Sequence, residues 1–215
     1  MARAAIRQRS GIKSFRNSTR LDSERLLRMC LDAVAEWRRL DRVAVSVRYS
    51  RGADFSGTCC YQTGKVYINL GRHLTYPYHM GTHLARARSD ARRWWKPIYT
   101  IELADAYQVV LFVFLHEWFH LLVKWARRNI RQKESMCDRF AARVLVDRYG
   151  AVVRDESNRP APRDCWDFQD LDGFVVAARR TFGTRRPAAV AARGAITVQQ
   201  DRPPSPQKQL LLFDL

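Results

Sequence analysis

The chain has 215 residues, 47% of them hydrophobic, enough for one core of ordinary size and too few for two generous domains with linkers. Its 38 Lys and Arg against 21 Asp and Glu leave a net charge of +17, which calls for a polyanion as partner: nucleic acid, an anionic membrane surface or an acidic protein. The five cysteines form no CxxC pair, which excludes a zinc ribbon and reads as reduced thiols in a cytoplasmic protein.

Residues 1–18 carry Arg3, Arg7, Arg9, Lys13 and Arg16 with no acidic residue and no apolar signal-peptide core, so they read as a basic flexible arm. Leu26, Leu27, Cys30, Val34, Trp37 and Leu40 then recur at helical spacing, predicting an amphipathic helix of about five turns with Thr19 or Ser23 as its cap. Val43 to Tyr49 alternates as a strand does, and Thr58 to Gln62 joins Lys65 to Leu70 through Thr63-Gly64, a hairpin signal. Residues 71–100 look irregular and basic, and His79-Met-Gly-Thr-His83 within them reads as a loop.

A long helix is predicted from about Ile101 to Arg128, apolar nearly all round at Val109 to Leu115 and therefore central to the core. Its uncharged apolar stretch, Ala106 to Leu115, is about half of the ~20 residues a membrane-spanning helix needs, so no span is expected. A second helix covers about Gln132 to Tyr149 with Gly150 as its stop, and a shorter one Asp170 to Phe182. Ala, Arg, Pro and Gln dominate beyond Gly183. The expected organisation is an arm over 1–18, a domain over 19–182, a basic Pro-rich linker over 183–208 and an apolar tip over 209–215.

The strongest chemical signal is His116-Glu117-Trp118-Phe119-His120 inside the long helix. Residues four apart share a helix face, so both imidazoles can converge on one tetrahedral zinc while Glu117 reaches its bound water as general base. The upstream apolar run supplies a dry wall. A catalytic zinc takes three protein ligands. No histidine follows His120, which leaves a carboxylate, Cys137 or an upstream histidine; Glu134, opening the next helix, is the candidate. Asp138, four residues on, is placed to hold the far nitrogen of a ligating histidine.

The set His116, His120 and Glu134 with Asp138 resembles the gluzincin arrangement of HExxH followed by ExxxD. Glu134-Ser-Met-Cys-Asp-Arg-Phe-Ala-Ala further resembles the second block of the ImmA/IrrE-type peptidases, over about residues 105–147. The proline that usually closes that block is absent, Val146-Asp147 standing there, and the spacing from His120 to Glu134 is short. The resemblance implies an α+β minimal zincin: a small mixed or antiparallel sheet packed on the active-site helix, a following ligand helix, and one Zn2+ per chain. The implied reaction is metal-assisted peptide hydrolysis with Glu117 as base and Tyr149, Tyr107 or an Arg as oxyanion donor. A peptide would add to the strand Lys65 to Leu70 if that strand borders the cleft.

Gln209-Leu210-Leu211-Leu212-Phe213 resembles the bacterial sliding-clamp-binding motif: Leu212 and Phe213 would fill an apolar pocket, Leu210 would add contact and Gln209 would fix the register. Arg86, Arg88, Arg92, Arg93 and Lys96, interleaved with Trp94 and Trp95, combine cations for phosphates with rings for unpaired bases. A second basic run comprises Lys124, Arg127, Arg128, Arg131 and Lys133. No helix pairs a basic face with exposed aromatics, so a membrane surface is not the expected partner. The expected function is a cytoplasmic zinc peptidase acting on proteins at DNA, similar in role to the Spartan/SprT-type proteases but without their third histidine, and recruited by the clamp. The alternatives are an ImmA-like peptidase that cleaves a repressor and a non-catalytic adaptor that binds DNA or the clamp.

Overall fold

The computed structural model describes residues 12–35, 43–125, 133–171, 173, 174 and 176. The first of these already departs from the expected arm: Ile12–Asn17 is a strand, β1. Arginine and lysine alternate with Ile12 and Phe15 there, and the strand is fixed by parallel pairing with β2, Val43–Tyr49. Between them lies α1, Ser23–Ala33, whose cap is Asp22, accepting from Arg25 N at 2.8 Å, in place of the expected Thr19 or Ser23. The helix buries Leu26, Cys30 and Ala33, and ends well short of the expected five turns.

Two further strands, β3 (Phe55–Cys60) and β4 (Lys65–Leu70), form the predicted hairpin. The sheet order is β1-β2-β4-β3, parallel except for the β3/β4 pair. Val43, Val45 and Val47 are buried beside Val66, Ile68 and Leu70, so period-two alternation puts one apolar face against the helices. The sheet is thus mixed, and it includes a strand from before the first helix.

The segment that looked irregular contains paired strands. It contains β5 (Tyr78–Thr82), the short strands β6 (Arg88–Ser89) and β7 (Trp94–Trp95), and the start of β8 (Tyr99–Leu103). His79 therefore lies in a strand and His83 directly after it. β5, β8 and β9 (Val152–Arg154) make an antiparallel sheet, while β6 and β7 form a separate hairpin.

Ile101 to Leu103 was expected to open the long helix; alternating burial makes Tyr99–Leu103 a strand instead, and α2 begins at Ala106 and runs to Trp125. Asp105 caps this helix, accepting from Gln108 N at 2.9 Å. Every residue from Gln108 to Val123 is buried. By length and composition α2 is apolar enough to cross a membrane, but 89% of that stretch is packed inside the fold against α1, β3, β4, β8 and α3 (Lys133–Tyr149). Gly150, at φ +70°, ends α3, and Ala151 N donates to Leu145 O, closing the last turn as the sequence indicated. A single turn, α4, covers Arg163–Trp166. Leu171, Gly173, Phe174 and Val176 are helical and Asp170 lies just before them, its Oδ1 accepting from Gly173 N at 2.7 Å; the other residues of the helix expected over 170–182 lie outside the described residues, as do the linker and the tail. The architecture is α+β, with α2 sandwiched between the mixed sheet and α3.

Candidate metal centre

Helical spacing puts His116 and His120 one turn apart on α2, their Nε2 atoms 2.9 Å from each other. The first turn of α3 brings Glu134 Oε2 to 3.2 Å from His116 Nε2 and 3.3 Å from His120 Nε2. Three donors therefore close a triangle. Around a tetrahedral ion with bonds of about 2.0–2.1 Å, donors stand roughly 3.3 Å apart, so the residues present fit a zinc-sized cation. Cys137 is a further buried neighbour: its Sγ and one nitrogen from each histidine all lie within 4.8 Å of one another. A buried group of His116, His120 and Cys137 is thus able to hold a metal, with the half-exposed Glu134 carboxylate at its mouth.

Asp138, one turn beyond Glu134 and 2% exposed, receives His116 Nδ1 at 2.7 Å on one oxygen and the His83 backbone N–H at 2.6 Å on the other. That bond leaves the proton on Nδ1 and directs the Nε2 lone pair at the triangle. Burial alone would push the His116 imidazolium down; the hydrogen bonds to Asp138 and Glu134 outweigh it and raise the ring to about 10. Burial tends to raise Glu134, but its bonds to His116 and His120 hold the carboxyl well below the usual range. Both shifts have the same cause, the closeness of the carboxylates to the imidazoles. Burial drives the Cys137 thiol well above its ordinary value. Among the described residues, His120 Nδ1 has no hydrogen-bond partner.

Glu117 is buried at 5% exposure and projects toward β3. Gly57 makes room for it: a Cβ there would stand 2.8 Å from Glu117 Cγ. A glycine inside a strand is the sequence signal for such an approach. Sequence reasoning also missed Tyr61, just past β3. Its hydroxyl is held high by burial first, and by the nearby Cys59 and Glu117. The expected oxyanion donors are elsewhere. Tyr107 accepts from Asp22 N at 3.0 Å under the Arg25 guanidinium, and Tyr149 packs near Asp32 and Cys30.

The peptide-binding strand also needs correcting. Lys65 to Leu70 is β4, paired on both sides; the strand along α2 with an open edge among the described residues is β3.

The basic cluster separates into two groups. Arg86 donates to Asp164 O and stacks on Phe168, Arg88 pairs with Glu156 at 2.8 Å, and Lys96 donates to His83 O at 2.7 Å and Ser135 Oγ at 3.4 Å. These three are committed to the fold. Arg92, Arg93, Trp94 and Trp95 remain at the surface. In the second run, Lys124 is exposed, 5.8 Å from the Tyr61 ring centroid. Arg127, Arg128 and Arg131 lie outside the described residues, as do Gln209, Leu210, Leu212 and Phe213. No family model, curated protein or solved structure matches the chain.

Proposed function

We propose that this chain is a zinc-dependent peptidase of minimal zincin type acting on proteins held at DNA. The observation that supports the reading best is the triangle of His116, His120 and Glu134, with the Glu117 carboxylate of the same helix turned toward an open strand edge. His116, His120 and Glu134 would hold the metal, and Asp138 would fix the tautomer of the first. Bound zinc supplies a Lewis acid that lowers the pKa of its water to about 7 and polarises a scissile carbonyl. Glu117 accepts the water's proton at its carboxylate and returns it to the leaving amine. The outer edge of β3 would take an extended peptide as an added strand and align it over α2. Tyr61 would be the candidate phenolic donor to the developing oxyanion.

The net charge of +17 supports work against a polyanion, and the clamp-like tail supplies an address in the DNA-bound machinery. The test is metal analysis of the purified chain together with a protease assay. One zinc per chain and loss of cleavage in Glu117→Gln with metal retained are the expected results. A chain without zinc, or full cleavage by Glu117→Gln, overturns the reading. Deleting Gln209 to Leu215 is expected to abolish binding to a bacterial clamp.

A further inference from the structure

We propose that the β6–β7 hairpin is a stacking site for single-stranded nucleic acid. Arg88 pairs with Trp95 and Ser89 with Trp94, so strand alternation turns the two tryptophans to opposite faces. Trp95 lies with Arg93, whose guanidinium is 5.2 Å from its ring, and is 37% exposed. Trp94 stands opposite the small Ser89 and is 74% exposed, the highest value of any large hydrophobic residue described; Ile98, just past the hairpin, follows at 61%. An isolated two-stranded ribbon is marginal in water. This one is anchored at its base by Arg88 to Glu156 and by Lys96 to His83 O, and its tip is tied by Asp90. A tied ribbon that holds an indole in solvent beside the exposed Arg92 and Arg93 at the turn, of which only Arg93 faces a carboxylate among the described residues, Asp90 at 3.7 Å, is built for a ligand that is both flat and anionic.

Charge selects the occupant. Arg92 and Arg93 are exposed, and the chain as a whole carries +17. An unpaired base offers a π-face to Trp94 and a phosphate to the arginines, whereas a duplex hides its base faces in the stack. The anchor also sets the location: Lys96 bonds Ser135, the neighbour of Glu134, so a strand on this hairpin passes beside the candidate metal centre. The binding site is independent of the peptidase reading and does not require the metal.

Fluorescence anisotropy of labelled oligothymidylate, against a blunt duplex of equal length, tests it with the full chain. The single strand is expected to bind more tightly, Trp94→Ala to weaken it roughly 5–100-fold, and Trp94→Phe to keep most of the affinity. Arg92→Ala with Arg93→Ala is expected to reduce the salt slope by about 1.4. Trp94 is exposed, so its replacement leaves the core untouched. His116→Ala, which disables the metal centre, is expected to bind as the native chain does. Equal affinity for both substrates, unchanged binding in Trp94→Ala, or no binding at all overturns the proposal; capture of a protein instead of the oligonucleotide does the same.

Discussion

Gly57 of β3 lies flat against Glu117 of α2, with space for a hydrogen and none for a methyl: a Cβ there would stand 2.8 Å from both Glu117 Cγ and Val113 Cγ1. Val113 is 3% exposed in the core and has nowhere to go, so Glu117 must yield. Gly57→Ala is therefore expected to displace the proposed general base while leaving the donor triangle intact. Peptidase turnover should fall toward the loss of roughly 10²–10⁴-fold that a misplaced general base produces, at unchanged zinc content. Full turnover in this variant would remove Glu117 from the reaction.

Asp138 serves two donors at once, His116 Nδ1 and the His83 amide, so no neutral isostere replaces it. Asp138→Asn retains one carbonyl oxygen for two N–H groups and leaves a buried donor unsatisfied, at a cost of about 1–3 kcal/mol. Metal affinity is expected to drop about 10–100-fold, read by competition with a chromophoric chelator. Denaturant unfolding of the metal-free chain reads the stability loss separately. Unchanged values in both experiments would mean that the carboxylate orients nothing.

The candidate metal-binding residues were legible because their geometry is local. His116 and His120 are one helical turn apart, as are Glu134 and Asp138, and the apolar run before them marks a buried helix. What could not be read depended on partners distant in sequence. Ile12–Asn17 looks like a charged arm until β2, some thirty residues on, supplies its ladder. β5 contains Gly81 and begins beside a proline, so local propensity argues against a strand that β8 stabilises. The hairpin of β3 and β4 was visible, but which of the two faces the cleft depends on β2 inserting beside β4. Arg86, Arg88 and Lys96 looked identical to Arg92 and Arg93 as letters; Asp164, Glu156 and Ser135, all from later elements, tell them apart.

Two side chains on one face of α3 compete for the third donor position. Glu134 is half-exposed and sits 3.2 and 3.3 Å from the imidazole nitrogens, whereas Cys137 is fully buried behind it. A carboxylate at the mouth leaves the fourth position open to solvent, as hydrolysis requires; a buried thiolate would make a closed centre. Glu134→Ala is thus expected to lose the metal and Cys137→Ala to keep it at one per chain. Cobalt substitution reads the same question in the native protein: visible d–d bands without a sulfur charge-transfer band. A strong charge-transfer band lost in Cys137→Ala would transfer the ligand role to the thiol.

Asp90 holds the tip of the β6–β7 hairpin mainly through backbone donors: its Oδ1 accepts Arg92 N and Arg93 N, each at 2.8 Å, its own N–H reaches Arg93 O at 2.9 Å, and its Oδ2 lies 3.7 Å from Arg93 Nε. The Arg92 and Arg93 amides lower the carboxyl below its ordinary value of 3.8. A depressed folded-state value means that the ionised form stabilises the turn: the contribution is complete above 3.8 and disappears as pH falls through the lower folded value. Protection of the Arg92 and Arg93 amides from exchange, referred to the intrinsic rate at each pH, should accordingly fall in acid, and in Asp90→Ala at every pH. Asn offers the same oxygen without a titratable proton. Asp90→Asn is expected to keep the turn and the oligothymidylate affinity at neutral pH while losing the acid transition of the two amides. An acid transition that persists in Asp90→Asn would place the controlling group elsewhere and leave the orientation of Trp94 without its support.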